Sequence, residues 1–188
     1  PGAPIRTTGI EKILREELGG GVLYRRGNDL PLFPKAAWCD VLLRRPPRQI
    51  VSGLTKSNDS VADITASLVN SDESYIAVQG PPGTGKTYVG AHVIANLVKQ
   101  GWKIGVIAQS HAVVEHLMNS VSEVDSTIPM AKKGQSAKSQ PKYHVDDVGA
   151  WAAGMVQYGY VIGGTVWSFS RPEIRFLGLD LIVIDEAG

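Results

Sequence analysis

From residue 75 onward, short apolar runs alternate with stretches whose apolar positions recur at helical spacing. Tyr75-Ile76-Ala77-Val78 is a β-prone run, followed by a Gly-rich turn and a helical stretch from Lys86 to Lys99 that Gly101 ends. Lys103 to Ala108 predicts a second strand, and His111 to Val121 a second helix with Val113, Val114, Leu117, Met118 and Val121 on one side. Tyr160 to Gly163 predicts a third strand and Leu181 to Ile184 a fourth. Strands that are apolar on both faces and alternate with helices predict an α/β fold, a parallel sheet covered by helices on both sides.

The N-terminal part is less regular. Thr8 and Glu11 have the spacing of a capping box, and Ile10, Ile13, Leu14 and Leu18 form a helical stripe that Gly19-Gly20-Gly21 stops. Pro31, Pro34, Pro46 and Pro47 break up residues 22–58, leaving room for a helical turn or two around Ala36 to Leu43. Residues 1–58 therefore read as an appendage, or as the end of a preceding domain. Asp59 is placed to cap a helix carrying Val61, Ala62, Ile64, Leu68 and Val69. Between about 122 and 159 the periodicity lapses. Lys132, Lys133, Lys138 and Lys142 make this stretch basic, and it reads as an inserted, mobile loop.

Composition narrows the class without naming a function. Of 188 residues, 43% are apolar and 20% charged, the make-up of an ordinary globular chain. No run approaches the roughly 18 apolar residues of a membrane-spanning helix, and Pro1-Gly2-Ala3-Pro4 lacks the features of a signal peptide. Cys39 is the one cysteine, which favours a reducing, cytoplasmic setting. Net charge is +1, but residues 1–60 hold ten Lys/Arg against six Asp/Glu, a balance that suits either nucleic acid or a solvated face.

The chemistry is concentrated in a few places. Gly80-Pro81-Pro82-Gly83-Thr84-Gly85-Lys86-Thr87 matches the G-x-x-x-x-G-K-[ST] phosphate loop, or Walker A motif. Its glycines let backbone N–H groups turn toward a phosphate, and the helix beginning there adds its own free N–H groups and positive end. Lys86 supplies charge to the β- and γ-phosphates of ATP, and the Thr87 hydroxyl suits a Mg²⁺ shell. Asp185-Glu186 comes directly after the fourth strand as a Walker B pair. Asp185 is assigned to the metal, and Glu186 to the attacking water as the catalytic carboxylate beside Lys86. A switch that merely binds nucleotide has no need of Glu186, so the pair favours an energy-transducing ATPase.

Gln109-Ser110-His111 leaves the second strand and opens the second helix. Its side chains suit a nucleic-acid phosphate, and Ser110 equally suits an ordinary N-cap. Thr165, after Gly163-Gly164, is placed to contact backbone phosphate, and Trp167 either stacks on a base or packs in the core. Trp38, Trp102 and Trp151 are assigned to packing. His92, His116 and His144 share no metal-ligand spacing with each other or with Cys39, which argues against zinc.

Taken in order, Gln79 to Thr87, Ala108 to Val114, Gly164-Thr165 and Asp185-Glu186-Ala187-Gly188 resemble motifs I, Ia, Ic and II of superfamily 1 helicases. The branch they most resemble holds the nonsense-mediated decay helicase and the DNA-replication nuclease–helicases. The Asp-Glu-Ala-Gly string is most similar to bacterial proteins that fuse a RecB-like nuclease to such a helicase. The resemblance covers about residues 60–188. It implies that residues 59–188 are a first RecA-like ATPase domain using ATP and Mg²⁺, with Gln109, Ser110 and Thr165 on single-stranded DNA or RNA. It also implies a later central strand and a second RecA-like domain with an arginine finger beyond Gly188, so that the isolated 188 residues would not turn over ATP. In this sequence Asp63 stands near the position where many relatives carry an adenine-reading glutamine, and Ser110-His111 stands where a Ser-Asn pair is usual. Two other classes compete: an AAA-type remodelling ATPase, which shares the phosphate-loop string, and an inactive nucleotide-binding fragment.

Overall fold

The computed structural model describes residues 36–48, 50, 57–134, 141–155 and 157–186. The helix expected from Thr8 lies outside these residues, as does Lys138. The chain divides into two compact units, Pro1–Gly53 with Asn70–Ala77, and Leu54–Val69 with Val78–Gly188.

In the first unit, the proline-broken stretch forms α1, Ala37–Leu42, a single short helix. Arg48 ties the unit together. Its guanidinium pairs with Asp40, which is 1% exposed, and donates to the carbonyls of Asp72 at 3.2 Å and Glu73 at 2.8 Å. Ser74 adds a second hydrogen bond to Asp40 at 3.1 Å. A carboxylate so deeply buried is tolerable because cation and hydroxyl replace its lost water.

One expectation is overturned before the phosphate loop. The apolar run Tyr75 to Val78 predicts a strand entering the phosphate loop, and it is not a strand. High β-propensity extends a backbone, but a strand also needs a ladder partner. Tyr75 instead donates from its hydroxyl to the Arg45 carbonyl at 2.8 Å, and Val78 is 52% exposed.

The second unit is built on a four-stranded sheet: β1 Lys103–Ala108, β2 Met130–Lys132, β3 Tyr160–Thr165 and β4 Leu181–Ile184, in the order β2-β3-β1-β4. Every pairing is parallel. β1 aligns Ala108 with Thr165 on one side and Ile107 with Ile184 on the other. β3 runs two residues beyond the predicted Gly163.

Helices cover both faces. On one lie α2 Ser60–Val69, α3 Lys86–Lys99 and α4 His111–Val124. Ile94, Leu97, Leu117 and Met118 from these helices meet Ile104 and Val106 of β1 in the larger core. Each such side chain contributes about 1.5–3 kcal/mol on burial. Asp59 caps α2 as expected, its Oδ1 accepting from the Val61 and Ala62 N–H groups at 3.0 and 3.1 Å. At the far end of α3, Lys99 pairs with Asp125 at 3.0 Å. Hydrogen bonds from Thr127, helped by Lys99, hold the Asp125 carboxyl down at about 2.

The other face carries α5 Val148–Ala153, α6 Val166–Phe169 and α7 Pro172–Arg175, packed around Tyr160 and Ile162. The Trp151 and Tyr160 rings meet edge to face at 5.6 Å. This layer does not cover β4, whose Ile182 and Ile184 are 49% and 59% exposed.

The stretch expected to be an inserted loop, about 122–159, is in part structure. It supplies the edge strand β2, a 3₁₀ turn at Pro141–Tyr143 and α5. Lys132, read from the sequence as part of a basic, mobile loop, is fully buried, with its Nζ 2.6 Å from Glu115 Oε1. The ion pair across β2 and α4 is what brings a basic residue into the interior.

Gly163 and Gly164 of β3 set how closely the two layers approach. A Cβ on Gly163 would strike Met118 Sδ and lie 2.7 Å from Val114 Cγ1, both on α4. One on Gly164 would lie 2.8 Å from Ser168 Cβ on α6. Gly163→Ala should therefore destabilise the domain by about 1–3 kcal/mol through overpacking. Chemical denaturation should show a lower midpoint with an unchanged slope, and an unchanged midpoint would refute this packing.

Candidate nucleotide and nucleic-acid site

The phosphate loop opens α3, and its geometry comes from its glycines. Gly83 and Gly85 both adopt φ of +80°, a left-handed conformation that L side chains disfavour, and Gly85 is the residue that caps α3. Thr84 folds back so that its hydroxyl donates to the Pro81 carbonyl at 2.8 Å. Lys86 does the same, its ammonium donating to the carbonyls of Gly80 at 2.6 Å and Pro81 at 3.0 Å. The lysine thus lies over its own loop, held by two neutral acceptors that a phosphate would outcompete for the charge. Pro82 is exposed and Thr87 half-buried at the start of α3.

The helix that follows this loop and the strand after it are nearly equal in length. Fourteen residues of α3 rise about 21 Å, and the six of β1 about 20 Å. A tight turn at Gln100–Trp102 joins them, with Gly101 N–H donating to the Val98 carbonyl at 2.9 Å.

The other candidate residues sit at that edge because β1, β3 and β4 run parallel in register. Asp185 comes after β4, half-buried, its N–H donating to the Ile107 carbonyl at 2.9 Å and its Oδ1 accepting from Glu186 N–H at 3.0 Å. Glu186 is exposed and has a φ of +53°, a left-handed conformation that costs a non-glycine residue energy and clusters at functional sites. Gln109 and Ser110 come after β1, and Thr165 ends β3 beside Ala108. The Ser110 hydroxyl caps α4, accepting from the Val113 N–H at 3.3 Å. The Thr165 hydroxyl lies 3.4 Å from Ser168 Oγ.

Among the described residues no cluster of three or more His, Cys, Asp or Glu is arranged to hold a metal. Mg²⁺ takes one or two protein ligands and completes its shell with phosphates and water. The residues that could hold it are Thr87 and Asp185.

Sequence reasoning missed one neighbourhood of this edge. His111, one turn before Glu115 on α4, has a buried Nδ1 with no hydrogen-bond partner among the described residues. A Cβ on Gly134 would lie 2.9 Å from its Cε1. Burial lowers the His111 pKa, the Lys132 charge lowers it further, and Glu115 opposes them in part. Nothing in the sequence pattern signals this, because Lys132 and His111 are brought together only by the pairing of β2 with β3.

A parallel sheet with helices on both faces and a phosphate loop opening one of them defines an α/β RecA-like P-loop fold. The chain belongs to the family described as AAA domain, whose model matches residues 57–188. It is 34% identical over 98 residues to the Regulator of nonsense transcripts 1 homolog of Arabidopsis thaliana, a match covering 51% of this chain. It is 25% identical over 138 residues to the DNA replication ATP-dependent helicase/nuclease DNA2 of Saccharomyces cerevisiae, covering 72% of this chain. The aligned stretches span 8% of the length of each of these relatives. The matches support a superfamily 1 helicase-like P-loop domain. No helix among the described residues is long and apolar enough to cross a membrane.

The His111 environment makes a pH prediction. A histidine whose folded pKa lies below its unfolded value near 6.5 contributes stability that is complete above that value and is lost as pH falls beneath it. Melting temperature should therefore drop less between pH 8 and pH 5.5 in His111→Asn than in the parent. Equal drops would refute the assignment.

Proposed function

We propose that this chain forms part of the motor core of an ATP-dependent nucleic-acid helicase or translocase. The observation that carries the reading is the shared edge: the phosphate loop opens α3 in the same unit whose β1, β3 and β4 end level with Gln109-Ser110, Thr165 and Asp185-Glu186. Ligands of open α/β sheets bind outside the carboxyl ends of the strands. The Saccharomyces relative, by name an ATP-dependent helicase/nuclease, supports the same reading. An AAA-type remodelling ATPase would leave the Gln109 to Val114 segment without a role.

In this reading the residues divide the work. The loop N–H groups and Lys86 bind the β- and γ-phosphates of ATP, Lys86 exchanging its two carbonyl partners for phosphate oxygens. Thr87 and Asp185 hold Mg²⁺, which supplies positive charge against the phosphates when bound. Glu186, exposed next to Asp185, orients the attacking water and accepts its proton. Gln109, Ser110 and Thr165 lie against the sugar-phosphate backbone, which positions a strand without reading its bases.

Two variants of the full-length protein separate binding from chemistry. Lys86→Ala should lower ATP turnover by about a hundredfold or more, and Glu186→Gln should stop turnover while leaving Mg²⁺–ATP affinity nearly unchanged. A turnover within about threefold of the parent for Lys86→Ala, or a collapse of affinity in Glu186→Gln, would overturn these roles.

Coupling to nucleic acid is tested separately. Mixed-sequence single-stranded DNA or RNA should stimulate ATP hydrolysis by the full-length protein. If neither does so across an ATPase titration, the translocase reading fails and a P-loop ATPase with another coupling remains.

A further inference from the structure

Neither the core nor the phosphate site uses Trp167. It is 68% exposed, and its neighbour Val166 is 60% exposed, whereas Trp38, Trp102 and Trp151 are all at least partly covered. An indole left in water forgoes a large transfer free energy. The backbone around it is firmly held. Ser168 is 7% exposed and donates to the Lys133 carbonyl at 3.4 Å, and a Cβ on Gly105 would lie 2.6 Å from the Phe169 ring. Two anchored residues thus fix α6 to the sheet while its first two stand outward.

Trp167 is two residues beyond Thr165, at the carboxyl edge where Thr165 lies in register with Ala108 and Gln109 comes next. Among the described residues, two lysines of the basic stretch are engaged within the protein. Lys132 is buried against Glu115, and Lys133 donates to the Asp146 carbonyl at 2.7 Å and lies 3.6 Å from Glu173. With these two lysines engaged, a contact that is not ionic would add to the grip of this surface on a polyanion.

We propose that Trp167 is a stacking platform for an unpaired base of a nucleic-acid strand lying along the carboxyl edge of the sheet. This rests on reading that edge as the nucleic-acid site, and it names what the edge selects. Every base has a π-face, so the contact tolerates any sequence. A base inside a duplex has both faces taken by its neighbours, so the contact favours single strands.

The test uses the full-length protein with a thymidine oligonucleotide and an abasic deoxyribose-phosphate strand of the same length. Binding is followed by anisotropy of an end label and by tryptophan emission. Binding of the thymidine strand should quench the parent's emission, and Trp167→Phe should remove most of that quench while keeping affinity within about threefold. Trp167→Ala should weaken the thymidine strand by about 5- to 150-fold, leaving the abasic strand and basal ATP hydrolysis unaffected. Equal affinity of parent and Trp167→Ala for the thymidine strand, with no loss of quench, would overturn the stacking role and leave the edge as a backbone-binding site. So would an indole in the free protein that acrylamide cannot reach, because another protein surface would then cover it. Failure of both strands to bind the parent would overturn the reading of the edge itself.

Discussion

The parallel ladder of β1 is the constraint on which the site depends. β1 is bonded to β3 on one side and to β4 on the other, with Ala108 opposite Thr165 and Ile107 opposite Ile184. Because all three strands point the same way, the residues that leave them emerge at a single edge. Residues far apart in sequence, Gln109, Thr165 and Asp185, are brought to that edge together. An antiparallel pairing at either side would have sent one group to the opposite end. α3, nearly matched in length to β1, begins at the phosphate loop.

The two helical layers approach closely at β3. The glycine pair Gly163-Gly164 lets α4 come down on one face of β3 and α6 on the other. Interiors packed at crystal-like density transmit small displacements, so the starts of α4 and α6 are mechanically linked through β3. A second link runs through charge. Lys132 and Glu115 bind β2 to α4, and breaking a buried pair by removing one partner typically costs about 3–5 kcal/mol. His111, at the start of α4, feels both charges. The segment from Lys132 to Gly134 is therefore a brace between the two elements that carry Ser110 and Thr165, not a peripheral tether.

The phosphate loop is comparatively self-contained. Its left-handed glycines and the bonds from Lys86 and Thr84 to loop carbonyls are local, made within seven residues of chain. A loop organised in this way owes its conformation to its own residues more than to the rest of the fold. Its dependence on the fold lies in where α3 delivers it. The residues before it, Tyr75 to Ala77, belong to the other compact unit, where the Tyr75 hydroxyl donates to the Arg45 carbonyl, and they form no strand.

Local order was legible in the sequence wherever it depended on short-range chemistry. α3 spans the predicted Lys86–Lys99 and β4 the predicted Leu181–Ile184, since periodicity, Gly101 and the apolar run define them within a few residues. Asp59 as the cap of α2 and Ser110 as the cap of α4 are equally local, one side chain reaching the next turn. The tertiary structure alone decided the rest. Whether Tyr75–Val78 became a strand depended on a ladder partner that no local pattern encodes. The short β2 lacked enough residues to show an alternation, and Lys132 could be buried only because Glu115 faces it from another element. Trp167 is outside for the same kind of reason: Ser168 and Phe169 find partners on β1, on β3 and after β2, and their anchoring leaves the indole facing solvent. Contacts between residues distant in sequence are set by packing, and packing is where a one-dimensional pattern stops carrying information.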